Sequence, residues 1–209
     1  MGALAKAAGS LWDWIEAGYP EEVAKRIVSG ELPMDEASRM ARAAEQGYGP
    51  VLYRGQRDYV PLEAYDDIWA SSSPSVAQTY ADSFQEYGGG TVIPLRTNAS
   101  NLADVNARGS GWRSVQTNNR KVPGIETGVH RGTDRITEVV KDSGQYDGTH
   151  FRNIKDEVAK VGGEQADTYN ILGSRPDVNI RHADAAYDPQ YSGPNICLLY
   201  TSPSPRDRG

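Results

Sequence analysis

The stretch Val51-Leu52-Tyr53-Arg54-Gly55-Gln56 runs from strand-forming residues straight into an arginine and a glycine. Arginine is costly to bury unless something anionic meets it. Glycine removes a side chain where another backbone or a ligand must come close. Arg54-Gly55 therefore reads in two ways: as a strand end paired with a surface carboxylate, or as the edge of a phosphate-binding cleft. Three further pieces carry residues of similar chemical interest. WASSSPSVA (Trp69 to Ala77), ending in Tyr80, supplies hydroxyls and aromatic rings. YDGTHFRN (Tyr146 to Asn153) carries Arg152 and Asn153. EQADTYNIL (Glu164 to Leu172) carries the acids Glu164 and Asp167. Simpler motifs are missing. GGGTV lacks the lysine and helix start of a phosphate-binding loop, no GxGxxG follows a strand, and His130, His150 and His182 lack metal-ligand spacing.

These pieces need elements to hold them. Residues 10 to 47 read as helices. Val23, Ile27 and Val28 share one face, and Gly30 closes that helix. In the next helix Asp35 and Glu36 fill the first turn, Ala37, Met40, Ala41 and Ala44 form the apolar stripe, and Arg39 and Arg42 fall on a solvated face. From residue 50 the pattern changes to short strands: VLYRG, DIWAS (67 to 71), TVIPL (91 to 95), THFRNI (149 to 154), DTYNIL (167 to 172) and VNIRHA (178 to 183). Ser73 caps a helix with Pro74 at its first position, whose buried face is Val76, Ala77, Tyr80, Ala81 and Phe84 and which ends at Gly88 to Gly90. Residues 98 to 132 are turn-rich and without periodicity. Thr133 caps a last helix, carrying Ile136, Val139 and Val140 and closed by Gly144. Helices and strands mix without regular alternation, so the class is α+β. On residues alone, Trp69 and Tyr80 read as core packing or as rings facing a ligand, Ser71 and Ser72 as a polar strand end, and Asp167 as a strand-start residue or an acid in a cleft.

The ordered set LYRG, SSPSVAQTYA, YDGTHFRNI, DTYNIL and RHADAAYDP resembles ADP-ribosyltransferases, in the branch found in phage polyvalent and head-associated proteins. RIVSGELPMDEASRMARA resembles the helical lead-in that precedes that domain. The resemblance spans about residues 25 to 190. It implies a split β-sandwich with packed helices and an N-terminal helical lead-in, and a cleft that holds NAD as substrate with no metal. It further implies mono-ADP-ribosyl transfer from NAD to a bacterial host protein with release of nicotinamide, by a phage or prophage product in the bacterial cytoplasm, with a larger phage polyprotein as one setting. Breaking the nicotinamide–ribose bond passes through an oxocarbenium-like state. A carboxylate stabilises that charge, a planar guanidinium matches phosphate oxygens, and an aromatic face holds nicotinamide.

Carried onto this chain, the resemblance assigns Arg54, Gly55, Trp69, Ser71, Ser72 and Tyr80 to NAD, and Asp167 or Glu164, with Arg54, to catalysis. Arg54 and Ser71-Ser72-Ser73 match the branch that uses arginine, a Ser-Thr-Ser-like strand and Gln/Glu-x-Glu. Gln165-Ala166-Asp167 departs from that pattern. Aspartate is shorter by about 1.5 Å, and a misplacement of that size costs about a hundredfold in rate. A shifted register puts Thr168 at the acid position. A catalytically inactive NAD-binding or structural module of a phage polyprotein, and an NAD glycohydrolase, are the alternatives.

Composition bounds the rest. With 209 residues, 38% of them hydrophobic and 24% charged, the chain is suited to one globular domain with an appendage. A net charge of −6 without a basic run disfavours nucleic acid. No stretch approaches the ~20 apolar residues of a membrane span, and Asp13 and Glu16 interrupt the N-terminal apolar run, which reads as a helix rather than a signal peptide. The single cysteine, Cys197, leaves no disulfide framework and fits a reducing compartment. The expected organisation is a helical region over 1–48, the main domain over 49–190 and a tail over 191–209. Within the tail, Cys197 to Gly209 (CLLYTSPSPRDRG) resembles translated sequencing adapter rather than natural sequence.

Overall fold

A computed structural model of the chain describes residues 9–57, 66–84, 89–117, 130–155, 164–173 and 178–191. Gly88, Cys197 and nearly all of the tail expected over 191–209 lie outside the described residues. The class is mixed α+β.

Three helices come first. In α1 (Leu11–Glu16) the Ser10 hydroxyl accepts from the Asp13 backbone N–H while the Asp13 carboxylate accepts from that of Ser10, a reciprocal capping box. Helix α2 (Glu21–Val28) buries Val23, Ala24 and Ile27, and Gly30 follows at φ 81°. Val28 is 45% exposed, contrary to the expected face, because the packed stripe uses Ala24 instead.

In α3 (Glu36–Glu45), capped by Asp35 through the Ser38 N–H at 2.9 Å, the expected face is rotated. Ala37, Ala41 and Ala44 are exposed, and Ala43 is buried with Met40 against it. Arg39 and Arg42 are not on a solvated face. Arg39 donates to the Ala183 carbonyl at 3.3 Å, Arg42 Nε to that of Ala186 at 2.9 Å, and Gln46 Nε2 to that of Tyr187 at 2.7 Å. The reason is twofold: alanines bury too little apolar area to set a helix face, whereas an irregular buried segment has carbonyls that need donors. Residues 39, 42 and 46 are spaced to supply them. Val23, Ile27, Leu32 and Ala43 thus pack with Ala185, Ala186 and Tyr187, so the N-terminal helices are fastened to the far end of the described chain.

The strands are β1 (Leu52–Arg57), β2 (Asp67–Ser71), β3 (Gly90–Thr97), β4 (Leu102–Asn106), β5 (Gly148–Lys155), β6 (Gln165–Leu172) and β7 (Ile180–His182). They lie in the order β4-β5-β6-β2-β1-β3-β7, with β4 parallel to β5 and every other pair antiparallel. Strand β4 falls inside the segment expected to be turn-rich and without periodicity. Its alternation rests on Ala103 and Val105 inward against Asp104 and Asn106 outward, too short and too weakly apolar to stand out.

β1 runs beside β3 from Leu52 to Arg57, but its register with β2 is the pair Tyr53↔Ser71. The sheet therefore has a seam between β1 and β2. Two cores flank it. One gathers Phe151, Val105 and Ile154 beneath Ile136 and Val140 of α5 (Thr133–Ser143); the other gathers Ile68, Ile93, Leu95 and Ile171. Helix α4 (Pro74–Asp82) begins after Ser73, as its sequence requires, and lies across β1 and β3. The cap of α5 is Gly132 at φ 85°, not Thr133, which is the first helical residue and is buried; the chain enters the helix through a left-handed residue that threonine resists.

Candidate functional site

A cavity of about 420 Å³ opens at the seam. Strand pairing explains its wall. Tyr53 pairs with Ser71 and Ser71 with Thr168, so the three share a face, and period-two alternation adds Gly55 and Trp69 to it. Tyr80 and Phe84, from and just after α4, close one side, and Trp112, Thr133 and Asp134 the other. Trp69 is anchored from behind by Phe151, with ring centroids 6.0 Å apart and nearly parallel planes.

Of the residues expected to bind NAD, Arg54, Gly55, Trp69, Ser71 and Tyr80 border this cavity. Arg54 stands at the seam itself and is 8% exposed. Its Nη1 donates to the Trp69 carbonyl at 3.0 Å and its Nε to Gln56 Oε1 at 3.1 Å, so the guanidinium joins β1 to β2 where their ladder parts. Gly55 has a purpose the sequence did not declare. A Cβ there would collide with the Ala77 carbonyl oxygen and lie 2.8 Å from both the Ala81 nitrogen and Tyr80 Cβ. The missing side chain admits the backbone of α4.

Ser72, Asp167 and Glu164 stand outside the set of described residues that line the cavity. Ser72 splices β2 to β6: its N–H donates to the Asp167 carbonyl at 2.8 Å, and its hydroxyl accepts from the Asp167 N–H at 3.1 Å. The Asp167 carboxylate meets His150 Nε2 at 3.0 Å and accepts from the Asn153 N–H at 3.0 Å, where a bulge at φ 53° turns β5. The ring of His150 stacks on Tyr169 at 4.3 Å, and burial followed by the Asp167 charge raises the Tyr169 phenol above its ordinary range. Beside it Arg152 grips Asp104 with two hydrogen bonds, at 2.6 and 2.8 Å. Glu164 accepts from the hydroxyls of Ser75 and Ser73, and those bonds hold its carboxyl below the usual range. It braces the start of α4, where a negative charge complements the helix dipole.

Trp112 and Asp134 were not anticipated as site residues. Trp112 sits in the turn-rich segment, and Asp134 is a first-turn acid of α5. Nothing in the spacing relates either one to β1. Among the described residues, no group of His, Cys, Asp and Glu is arranged to hold a metal ion, and no helix is long and apolar enough to cross a membrane. No protein-family model, curated protein or solved structure matches the chain.

Proposed function

We propose that the cavity at the seam binds NAD and that the protein is a mono-ADP-ribosyltransferase of phage origin, modifying a bacterial host protein and releasing nicotinamide. One observation carries this reading: Arg54, Trp69, Ser71 and Tyr80, from three separate elements, converge on one aromatic-walled cavity. Its volume of about 420 Å³ suits the nicotinamide-ribose end of the dinucleotide. Its rings offer faces for nicotinamide, and its serine and threonine hydroxyls suit ribose. The finer fold we propose is an ADP-ribosyltransferase-like split β-sandwich. The thin register between β1 and β2 supports it, dividing β4-β5-β6-β2 from β1-β3-β7.

A second reading, a non-catalytic NAD-binding or structural module of a phage polyprotein, draws on a specific feature. The Asp167 and Glu164 carboxylates are both engaged by protein partners. Calorimetry with NAD and a nicotinamide-release assay on the full chain separate the two. Binding with release, and label transferred to bacterial lysate proteins, supports the transferase. Release yielding only free ADP-ribose means a glycohydrolase. Binding without release selects the NAD-binding module, and no binding at millimolar NAD ends every NAD reading and leaves only the structural module.

A further inference from the structure

Resting on the NAD reading above, we infer that Asp134 supplies the carboxylate that faces the reacting ribose. The two acids expected to act are already engaged. Asp167 is held by His150 on one oxygen and by the Asn153 N–H on the other, and Glu164 is held by Ser73 and Ser75. For either to serve a ligand in the cavity, it would have to abandon bonds that tie β5 to β6 or brace α4. Among the described residues Asp134 has no such ties. It borders the cavity and is exposed, and no hydrogen bond or ion pair among the described residues engages its carboxylate.

Its position is also fixed. Thr133, Ile136 and Val140 are buried, which anchors α5 and holds Asp134 at the cavity. A carboxylate bordering the cavity gives it a negative charge where the ribose cation forms. In the step itself, the bond from ribose C1′ to the pyridinium nitrogen breaks and its electron pair leaves with neutral nicotinamide. The acceptor nucleophile forms the new bond to C1′, and its proton passes to Asp134 and then to water. Asp134 stabilises the cation between these events.

The test uses the full chain and compares Asp134→Asn, Asp134→Glu, Asp167→Asn and Glu164→Gln by NAD calorimetry, nicotinamide release and thermal midpoint. Asp134→Asn is expected to lower release by at least about a hundredfold, with NAD affinity within a few-fold of wild type and a near-wild-type midpoint; Asp134→Glu recovers part of the rate. Release by Asp134→Asn at the wild-type rate overturns the inference while leaving the NAD reading intact. So does a larger loss at Asp167→Asn or Glu164→Gln, judged among variants that keep their midpoint. A wild-type chain that binds NAD without releasing nicotinamide also overturns it. A chain that binds no NAD overturns the NAD reading itself, and Asp134 with it.

Discussion

Gly55 on β1 and Ala77 on α4 approach so closely that the strand has no room for even a methyl group at that position. The contact sets how α4 lies on the sheet, and therefore where Tyr80 stands relative to Trp69. Gly55→Ala is expected to destabilise the protein by about 3 kcal/mol, since the obstacle is helix backbone and cannot rotate away. Urea unfolding with an unchanged slope and a lowered midpoint would show it. A wild-type midpoint would mean that α4 slides freely.

Arg54 holds two acceptors from opposite sides of the seam, Gln56 Oε1 and the Trp69 carbonyl. Arg54→Ala is expected to cost about 2 kcal/mol through those lost donors, so a fall in activity in that variant would not by itself indicate ligand contact. Tyr80→Leu keeps an apolar packing body and removes the aromatic face together with the hydroxyl. It should weaken NAD binding by roughly three- to tenfold while barely moving the midpoint. Calorimetry and thermal melts run on both variants separate the two effects, and an unaltered NAD affinity in Tyr80→Leu would remove that ring from the site.

Arg26 of α2 is ion-paired to Asp188, which is 2% exposed, so the pair ties the helical lead-in to the end of the described chain. Arg26→Ala strands a buried carboxylate, whose N–H bond from Gln190 remains. A loss of roughly 2 to 4 kcal/mol is expected, and Asp188→Asn in the same background should restore part of it. If melts of Arg26→Ala match wild type, the lead-in is not fastened through this pair.

The His182 ring is partly buried, and that burial lowers its pKa below the ordinary histidine value; Arg39 of α3 adds to that shift and Asp184 opposes it. Its Nδ1 accepts from the Asp184 N–H at 3.1 Å, which requires the neutral ring. With the folded pKa below the unfolded value of about 6.5, the unfolded chain takes up the proton first as pH falls. Stability is therefore full above about pH 6.5 and declines from there down to the folded pKa, where the loss levels off. Urea midpoints measured from pH 8 to 5 should show this decline, and His182→Gln should flatten it. A midpoint that rises on acidification over that range would contradict the assignment.

The expected strands were close to the observed ones because their signals are local. Ile68 and Ala70 in β2, and the alternation through Ala166, Thr168 and Asn170 in β6, follow period two from sequence. The Ser73-Pro74 start of α4 and the αL cap Gly144 are likewise set by the chemistry of one or two residues. The face of α3 was misread because alanine carries little apolar weight and the carbonyls that recruit Arg39, Arg42 and Gln46 lie about 140 residues downstream. Local pattern holds no record of partners that distant.

By itself, the sequence determined the α+β class, the start of α4, and the pieces carrying Arg54, Trp69, Ser71 and Tyr80, because propensity, capping and alternation act over a few residues. Which of them share a cavity was decided by the tertiary structure alone. Strand register between β1, β2 and β6 placed Tyr53, Ser71 and Thr168 on one face, while pairing with β5 drew the Asp167 carboxylate to His150. The packing of α5 brought Asp134 to the cavity. A carboxylate's role follows from the donors that reach it, and those donors are chosen by sheet order and helix placement rather than by its neighbours along the chain.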